Sequence, residues 1–293
     1  MFARKLFLLA SACGALTIQT LAQAPPDIDA LLARVAERIE VYYKRAQNIM
    51  CTEKTIVLPL GRSWQVDGMH RITEAELRVE AEGLSDGSGP AGPTFFRQLL
   101  KINGREPRDK DKKARSACFD PNPLTPEPVA FLLPSNRDGY TFTAKGFGKG
   151  KDARTLLIEY VRRASKQPEL VEDPQGREDC FELSTPLSVK GRVVIDKDTY
   201  DVLRVEEHLV GLEELRTTRT QQRKYNFSPS ITVDRIDVTT RYKVVSFKDP
   251  DETFLLPESI ETLEMYRAEL QSHRTRQEFT NYRRFVTGGR LVK

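Results

Sequence analysis

The sequence predicts a mainly β (α+β) protein, in which a strongly curved antiparallel sheet forms an unclosed barrel with an N-terminal helix and a short helix over its concave face. Apolar and β-branched residues alternate with polar ones through most of the chain, which is the period of a half-buried strand. Short turns separate these segments, whereas parallel strands would need crossover helices. A sheet of about ten such strands must curl.

The clearest hairpin lies at residues 191–205, with the sequence GRVVIDKDTYDVLRV. Two β-branched runs flank an Asp-rich turn, a combination typical of two paired strands. The same alternation predicts strands at 54–58, 64–66, 75–81, 95–102, 140–142, 155–161, 180–183, 192–195, 202–209, 232–247, 254–267 and 274–286. The polar stretch 211–230 carries no clear signal. Because no long linker separates two cores, residues 51–293 are expected to form one domain together with the helical segment 23–50.

The segment 23–50 predicts an amphipathic helix that begins after the Pro25-Pro26 break, with Asp27 as its N-cap. Lys44 and Arg45 suit its C-terminal end. Acidic residues dilute any basic face, which disfavours a helix on a membrane surface. We expect the helix to cover the open sheet with the apolar residues Ile28, Leu31, Leu32, Val35, Ile39 and Tyr42.

A second, shorter helix is predicted at 125–133, with Thr125 as its cap, Pro126 at its first position and Pro134 after its end. Two interpretations stay open. The helix either plugs one end of the sheet or forms a movable lid over an apolar cavity. The lid candidates are Val129, Phe131, Leu132 and Leu133.

The first 22 residues predict a secretory signal peptide: Arg4 and Lys5 precede an apolar region, and small residues surround a cleavage site after Ala22. The mature protein is then periplasmic or secreted. An alternative is lipidation at Cys13, which would anchor the chain to a membrane. No other segment has the roughly 18 apolar residues of a spanning helix. Without Arg4 and Lys5 the net charge falls from +4 to +2, too balanced for a nucleic-acid partner.

Three cysteines, Cys51, Cys118 and Cys180, follow the signal. In an oxidising compartment, one disulfide and one buried or reactive thiol is the simplest arrangement. The sequence does not decide the pairing. It weakly favours Cys118 with Cys180, since both lie just outside predicted strands.

The chain lacks a pattern typical of catalysis. His70, His208 and His273 lie on different predicted strands without metal-ligand spacing, and there is no nucleophile elbow. We therefore expect no catalytic residues, no metal and no cofactor. What recurs is a set of alternating apolar side chains on one sheet face, which form either core or the wall of a cavity for an acyl chain. The ligand-cavity candidates are Leu156, Ile158, Val193, Ile195, Leu203, Val205, Phe254 and Leu256.

The stretch GRVVIDKDTYDVLRVEEHL resembles a hairpin of the bacterial outer-membrane lipoprotein-sorting proteins, the LolA/LolB-like superfamily. The similarity extends to FLLPES at 254–259 and to the strand that ends FTNYRRF at 279–285. It covers about the last 110 residues well and the rest by order of elements. The motifs are structural and bear on fold more than on activity. The charged insertion 105–115 departs from the family, and no arginine matches a carrier's gating residue.

The resemblance implies a non-enzymatic, exported protein that binds lipid or lipoprotein acyl chains in a half-barrel cavity. The alternative is a structural or protein-interaction module of the cell envelope, with a filled core and with an envelope partner bound by the exposed sheet edge and the charged insertion 105–115. These two hypotheses differ in one structural property. The first requires space between the sheet and its helices, and the second does not.

Overall fold

The computed structural model describes residues 26–46, 49–61, 63–80, 94–113, 115–126, 128–148, 153–174, 176–177, 179–248, 251–267 and 269–284. The predicted signal peptide and Cys13 lie outside these ranges. Three helices are described: α1 (Ile28–Ala46), α2 (Asp109–Lys113) and α3 (Arg219–Tyr225). Short 3₁₀ turns lie at Arg115–Phe119, Ala130–Leu132 and Pro134–Asn136.

The same residues contain fourteen strands, most of them eight or more residues long. They are β1 (Ile49–Leu60), β2 (Arg71–Glu80), β3 (Thr94–Ile102), β4 (Leu124–Pro126), β5 (Tyr140–Phe147), β6 (Thr155–Arg162), β7 (Leu170–Glu172), β8 (Phe181–Leu183), β9 (Val189–Asp196), β10 (Val202–Leu209), β11 (Glu213–Arg216), β12 (Ser230–Lys248), β13 (Asp251–Tyr266) and β14 (Ser272–Arg284).

One large antiparallel sheet dominates the fold. Its strand order is β4-β3-β2-β1-β14-β13-β12-β10-β9-β6-β5, with β11 paired to β12, while β7 and β8 form a separate small pair. The first strand, β1, lies between β2 and the last strand, β14, so the first and last strands of the described chain pair in the interior of the sheet. Within the described residues the outermost strands β4 and β5 do not pair with each other. The sheet is therefore an unclosed antiparallel one, which confirms the predicted fold class.

Helix α1 covers one half of this sheet, as its amphipathic pattern predicts. Its apolar stripe packs against β6, β9 and β10 in a continuous core cluster. Val35 on the helix and Ile158 and Ile195 on the strands are fully buried. At the end of the helix, Ala46 belongs to a second cluster with β1, β13 and β14. A third cluster joins β10, β11 and β12 to the small β7–β8 pair.

The β9–β10 hairpin at 191–205 forms as predicted. Oδ1 of Asp196 accepts hydrogen bonds from the backbone N–H groups of Asp198 and Thr199, both at 2.9 Å. Tyr200 takes a left-handed backbone conformation with φ of 61°. Asp201 accepts a hydrogen bond of 2.5 Å from Nε of Arg38 on α1. The turn that the Asp-rich sequence builds is thus also a point where the N-terminal helix is attached to the sheet.

Two local predictions need correction. Residues 125–133 do not form one helix: Leu124–Pro126 pairs with β3, and only Ala130–Leu132 makes a 3₁₀ turn. Residues 64–66 are a turn rather than a strand, apart from a single bridge between Leu60 and Val66. The stretch 211–230, which carried no clear signal, contains β11 and α3.

Cys118 and Cys180 form a disulfide, with 5.2 Å between their Cα atoms, as the sequence weakly favoured. The bond joins the 3₁₀ turn Arg115–Phe119 to the start of β8, which lie 62 residues apart in the chain. Cys51 on β1 is the remaining cysteine in the described residues, and it is a buried free thiol.

We predict that Cys51 resists thiol reagents in the folded protein. Burial, and after it the nearby Glu53 carboxylate, raises the pKa of this thiol to about 12, so the reactive thiolate is scarce at pH 8. A chain that starts at Gln23 lacks Cys13 and should release no colour from Ellman's reagent when native and one equivalent in urea. Because the pKa of this thiol is higher in the folded protein than its usual value of 9.0, the thiol's contribution to stability is present below pH 9 and declines as pH rises toward 12. Rapid labelling of the native chain at pH 8 would contradict the assignment.

Candidate functional site

A cavity of about 880 Å³ lies beside the packed half of the sheet. Its floor is formed by β1, β13 and β14, through inward-facing side chains such as Val57, Ile260 and Thr275. Its far wall is the disulfide-linked segment around Cys118 and Cys180. The apolar part of the lining continues into the third core cluster, from which it takes Leu170, Phe181, Leu183, Leu215, Tyr266 and Leu270.

Met69, which precedes β2, contributes to the lining and is 90% exposed, so it marks a rim of the cavity. The loop that carries Met69 is held by backbone hydrogen bonds. The N–H of Trp64 donates to the carbonyl of Gly61 at 2.9 Å, and the N–H of Asp67 donates to that of Pro59 at 2.9 Å. Trp64 has a φ of 60°, a conformation that bulky residues rarely adopt. This rim is therefore an ordered loop with exposed apolar side chains.

A buried ion pair supports the polar end of the cavity. Nε of Arg97 donates to Oε2 of Glu53 at 2.5 Å, and the two residues are 8% and 2% exposed. Nη1 of Arg97 also donates to Oγ1 of Thr125 at 2.6 Å, while Nε2 of Gln277 donates to Oε1 of Glu53 at 2.7 Å. These contacts join β1, β3, β4 and β14. The contacts hold one end of the cavity in place. Both Arg97 and Glu53 have further hydrogen bonds, which a buried ion pair needs to offset the loss of hydration.

A second ion pair holds the disulfide-linked wall to the sheet. Nε and Nη2 of Arg71 on β2 donate to the two carboxylate oxygens of Asp120, at 2.6 and 2.5 Å. Asp120 follows the 3₁₀ turn that carries Cys118. Nearby, Arg177 donates to both carboxylate oxygens of the buried Asp173 at 2.9 Å. The cavity wall is therefore fastened by bidentate ion pairs as well as by the disulfide.

His273, Glu264 and Tyr266 form a polar group on the floor. Nε2 of His273 lies 4.0 Å from Oε1 of Glu264, and the ring centroids of His273 and Phe119 are 4.3 Å apart. The hydroxyl of Tyr266 donates to Oε2 of Glu264 at 2.5 Å. Burial, together with the Glu264 carboxylate, raises the pKa of Tyr266 well above its usual range. Tyr266 is thus a neutral hydrogen-bond donor here.

The sequence-predicted ligand residues lie elsewhere. Leu156, Ile158, Val193, Ile195 and Val205 belong to the core cluster beneath α1, where they contact other side chains. Phe254 and Leu256 are buried in the second cluster, and Leu203 is half-buried on β10 outside both. None of these eight residues lines the 880 Å³ cavity. Their contact with a ligand stays a prediction, and the geometry favours a different location for bound molecules.

The lid candidates are packed into the core, and the segment that carries them is hydrogen-bonded to Arg137. Val129, Leu132 and Leu133 are buried in the core cluster beneath α1, and Phe131 is partly buried against it. Nε of Arg137 donates to the carbonyl of Leu132 at 2.9 Å, and its Nη2 donates to the carbonyl of Leu32 on α1 at 2.8 Å. Burial lowers the pKa of Arg137. Of the two earlier interpretations, this geometry favours the plug.

Sequence reasoning missed the residues of this cavity because they are brought together from distant parts of the chain. Glu53 and Gln277, which share a hydrogen bond, are 224 positions apart. One local signal was available: charged or amide residues, such as Glu53, Arg97 and Gln277, interrupt the inward-facing apolar positions of predicted strands. A buried polar residue at such a position indicates either a polar network or a site.

No helix in the described part of the chain is long and apolar enough to cross a membrane. Across the same residues, no group of three or more histidine, cysteine, aspartate or glutamate side chains is arranged to hold a metal ion.

Neither a family model nor a curated protein sequence matches the chain. Among solved structures, it is similar to the crystal structure of a LolA superfamily protein from Nitrosomonas europaea. The alignment covers 87% of this chain and 94% of that chain, with a TM-score of 0.35 and 6% sequence identity. A similarity of this size carries no argument about function. The unclosed antiparallel fold rests on the strand order described above.

Proposed function

We propose that this protein is exported and binds a hydrophobic ligand of the lipid or lipoprotein acyl-chain type in the 880 Å³ cavity, without catalysing a reaction. The main support for binding is the cavity itself, whose volume is within the range of about 300–1,000 Å³ common for small-molecule sites. Its lining joins an apolar part, which could receive an acyl chain, to polar and charged side chains that could contact a polar head group. The LolA-like resemblance of the hairpin at 191–205 agrees with this ligand class.

The walls give a physical reason for the space to persist. Protein interiors normally pack without voids much larger than a water molecule. Here the disulfide and the Arg71–Asp120 pair hold one wall, and the Glu53–Arg97 pair holds the polar end. With these fastenings the wall cannot move onto the floor and fill the space. A preformed cavity of this kind binds its ligand with little reorganisation.

Export is supported by the signal-like residues 1–22 and by the disulfide, which persists in oxidising compartments. We propose a periplasmic or secreted location after cleavage at Ala22. Lipidation of Cys13 is the alternative, and intact-mass measurement of the mature chain separates the two.

The proposed binding is tested by filling the cavity. Thr262 on β13 faces the space and is half-buried, so a tryptophan at this position would occupy ligand volume. We expect Thr262→Trp to lower the affinity for a neutral acyl probe such as dodecanol at least about tenfold. Isothermal titration calorimetry and native mass spectrometry of the mature chain measure this change.

Thr280→Trp is the matched control, since Thr280 is exposed on the neighbouring strand β14 and is not in the lining. It should bind dodecanol as the parent does. If the parent binds no acyl probe, or if both variants lose binding equally, the cavity is not the proposed site.

A second candidate function is the envelope interaction module. It is favoured by the solid packing beneath α1 and by the exposed, charged helix α2 with the Arg108–Asp111 ion pair beside it. Under this hypothesis, alanine replacements in α2 abolish capture of an envelope protein, whereas Thr262→Trp changes nothing.

A further inference from the structure

The positive and negative side chains that line the cavity differ in their partners: the arginines form ion pairs with carboxylates, and within the described part of the chain the lining carboxylates do not form ion pairs with arginine or lysine. Two cations line the cavity, Arg71 and Arg97, and each is paired with a carboxylate at 2.5 Å. Their partners, Asp120 and Glu53, are not part of the lining. Each pair is close to neutral as seen from the cavity, so neither guanidinium offers an uncompensated charge to an anionic ligand.

Three carboxylates also line the cavity: Asp179, Glu182 and Glu264. Among the described residues, none of them has a lysine or arginine nitrogen in ion-pair range, although Arg177 attracts Glu182 and Lys224 attracts Asp179 at longer distance. The 4.0 Å contact of Glu264 is with His273. Glu182 accepts one long hydrogen bond of 3.5 Å from Asn122, and Glu264 accepts the Tyr266 hydroxyl. The lining therefore has a local excess of negative charge in a chain whose net charge is +4.

His273 lies beside Glu264 on the floor of the cavity. The residue lines the cavity, is 8% exposed, and its Nδ1 has no hydrogen-bond partner among the described residues. The Nδ1 atom is covered by protein and does not reach the cavity, so a ligand contacts this part of the floor through the Glu264 carboxylate beside the ring. A ligand that donates N–H hydrogen bonds suits that carboxylate, because an ionised carboxylate only accepts hydrogen bonds.

We propose that the cavity selects amphiphiles whose polar head carries a protonated amine, and that it discriminates against anionic amphiphiles such as fatty acids. This inference rests on the proposed function, because it concerns the ligand of the same cavity. The apolar part of the lining around Leu215 and Phe181 receives the chain. Glu264 and Glu182 attract the ammonium group, and its N–H groups donate to their carboxylate oxygens. In the partly enclosed space these charge-assisted bonds are stronger than in water.

Three probes of equal chain length test the selectivity: dodecylammonium, dodecanol and dodecanoate, each below its aggregation concentration. Calorimetry at pH 7 and low salt should give at least about tenfold tighter binding of dodecylammonium than of dodecanoate, or about 1.4 kcal/mol. Glu182→Gln combined with Glu264→Gln should remove most of this difference. Glutamine at 264 still accepts the Tyr266 hydrogen bond, so the floor is preserved.

Glu261→Gln is the control, because Glu261 lies on the same strand β13, is exposed, and is outside the lining. It should retain the full preference for dodecylammonium. Equal or tighter binding of dodecanoate, with dodecanol still bound, would overturn the charge selectivity alone. Failure of all three probes to bind would overturn the selectivity together with the proposed function.

Discussion

Replacing Gly191 with alanine is expected to lower the free energy of unfolding by about 3 kcal/mol, the upper end for an overpacked core position. A Cβ atom at this position would lie 2.3 Å from the carbonyl oxygen of Glu206 and 2.4 Å from Cζ of Tyr160. Real Cβ contacts are not this short, and one of the two obstacles is backbone. The strand pair must therefore separate or the tyrosine must move.

A shift of the Tyr160 ring would destabilise the fold, because the ring is buried and makes contacts that would be lost. The residue is 1% exposed, pairs with Gly191 across β6 and β9, and packs its ring 4.9 Å from that of Phe131. Its hydroxyl donates to Oε2 of Glu207 at 3.0 Å. The absence of a side chain at Gly191 thus makes room for the aromatic ring that joins the sheet to the 3₁₀ segment below α1.

Urea denaturation of the mature chain, followed by circular dichroism, measures the change. Lys190→Ala is the control, since Lys190 is exposed on the same strand and should change stability by less than about 0.5 kcal/mol. In a Tyr160→Leu background the Gly191→Ala effect should be smaller, because one obstacle is gone. A Gly191→Ala variant as stable as the parent would show that the ring does not lie over this glycine.

Gly191 also illustrates how far the sequence alone could lead. The hairpin at 191–205 is predictable because turn chemistry and alternation act over neighbouring residues. The ring of Tyr160 over Gly191 is not, since the two residues are 31 positions apart and their register depends on the completed sheet. Helix α1 was predictable from its spacing of apolar residues for the same reason as the hairpin.

Helix α3 was missed although a local signal was present. Thr218 and Gln221 form a capping box, with the Gln221 N–H donating to Oγ1 of Thr218 at 3.2 Å and the Thr218 N–H donating to Oε1 of Gln221 at 2.8 Å. The pattern Thr-x-x-Gln is a recognised helix start. The helix is short and mostly polar, so it lacks the apolar periodicity on which the prediction of α1 depended.

The cavity could not be placed from the sequence. Alternation shows which residues face inward, and Val193 and Ile195 do face the buried side, but it does not show which part of that side is covered by α1. The part of the sheet that α1 covers depends on the length of the helix, and the position of the cavity also depends on where the disulfide-linked wall lies. Both are properties of the assembled fold, so inward-facing residues under α1 became core and those beyond it became lining.

Replacing Arg97 with methionine is expected to cost about 3–5 kcal/mol of stability, as for other buried ion pairs that lose one partner. Glu53 is 2% exposed and, among the described residues, would keep the hydrogen bond from Gln277 but no ion pair to balance its charge. Thr125 and the Asn122 carbonyl would also lose their donor, which loosens β4 from β3. Thermal and urea unfolding of the mature chain measure the loss.

The double variant Glu53→Leu with Arg97→Met shows whether the loss arises from the uncompensated charge. Replacing both partners of a buried pair with apolar residues is often neutral, so the double variant should be more stable than Arg97→Met alone. A single variant that loses less than about 1 kcal/mol would mean that water reaches Glu53 and that this end of the cavity is open. If the double variant is instead the least stable of the three proteins, the hydrogen bonds to Thr125 and Gln277, rather than the charges, hold the four strands around the cavity together.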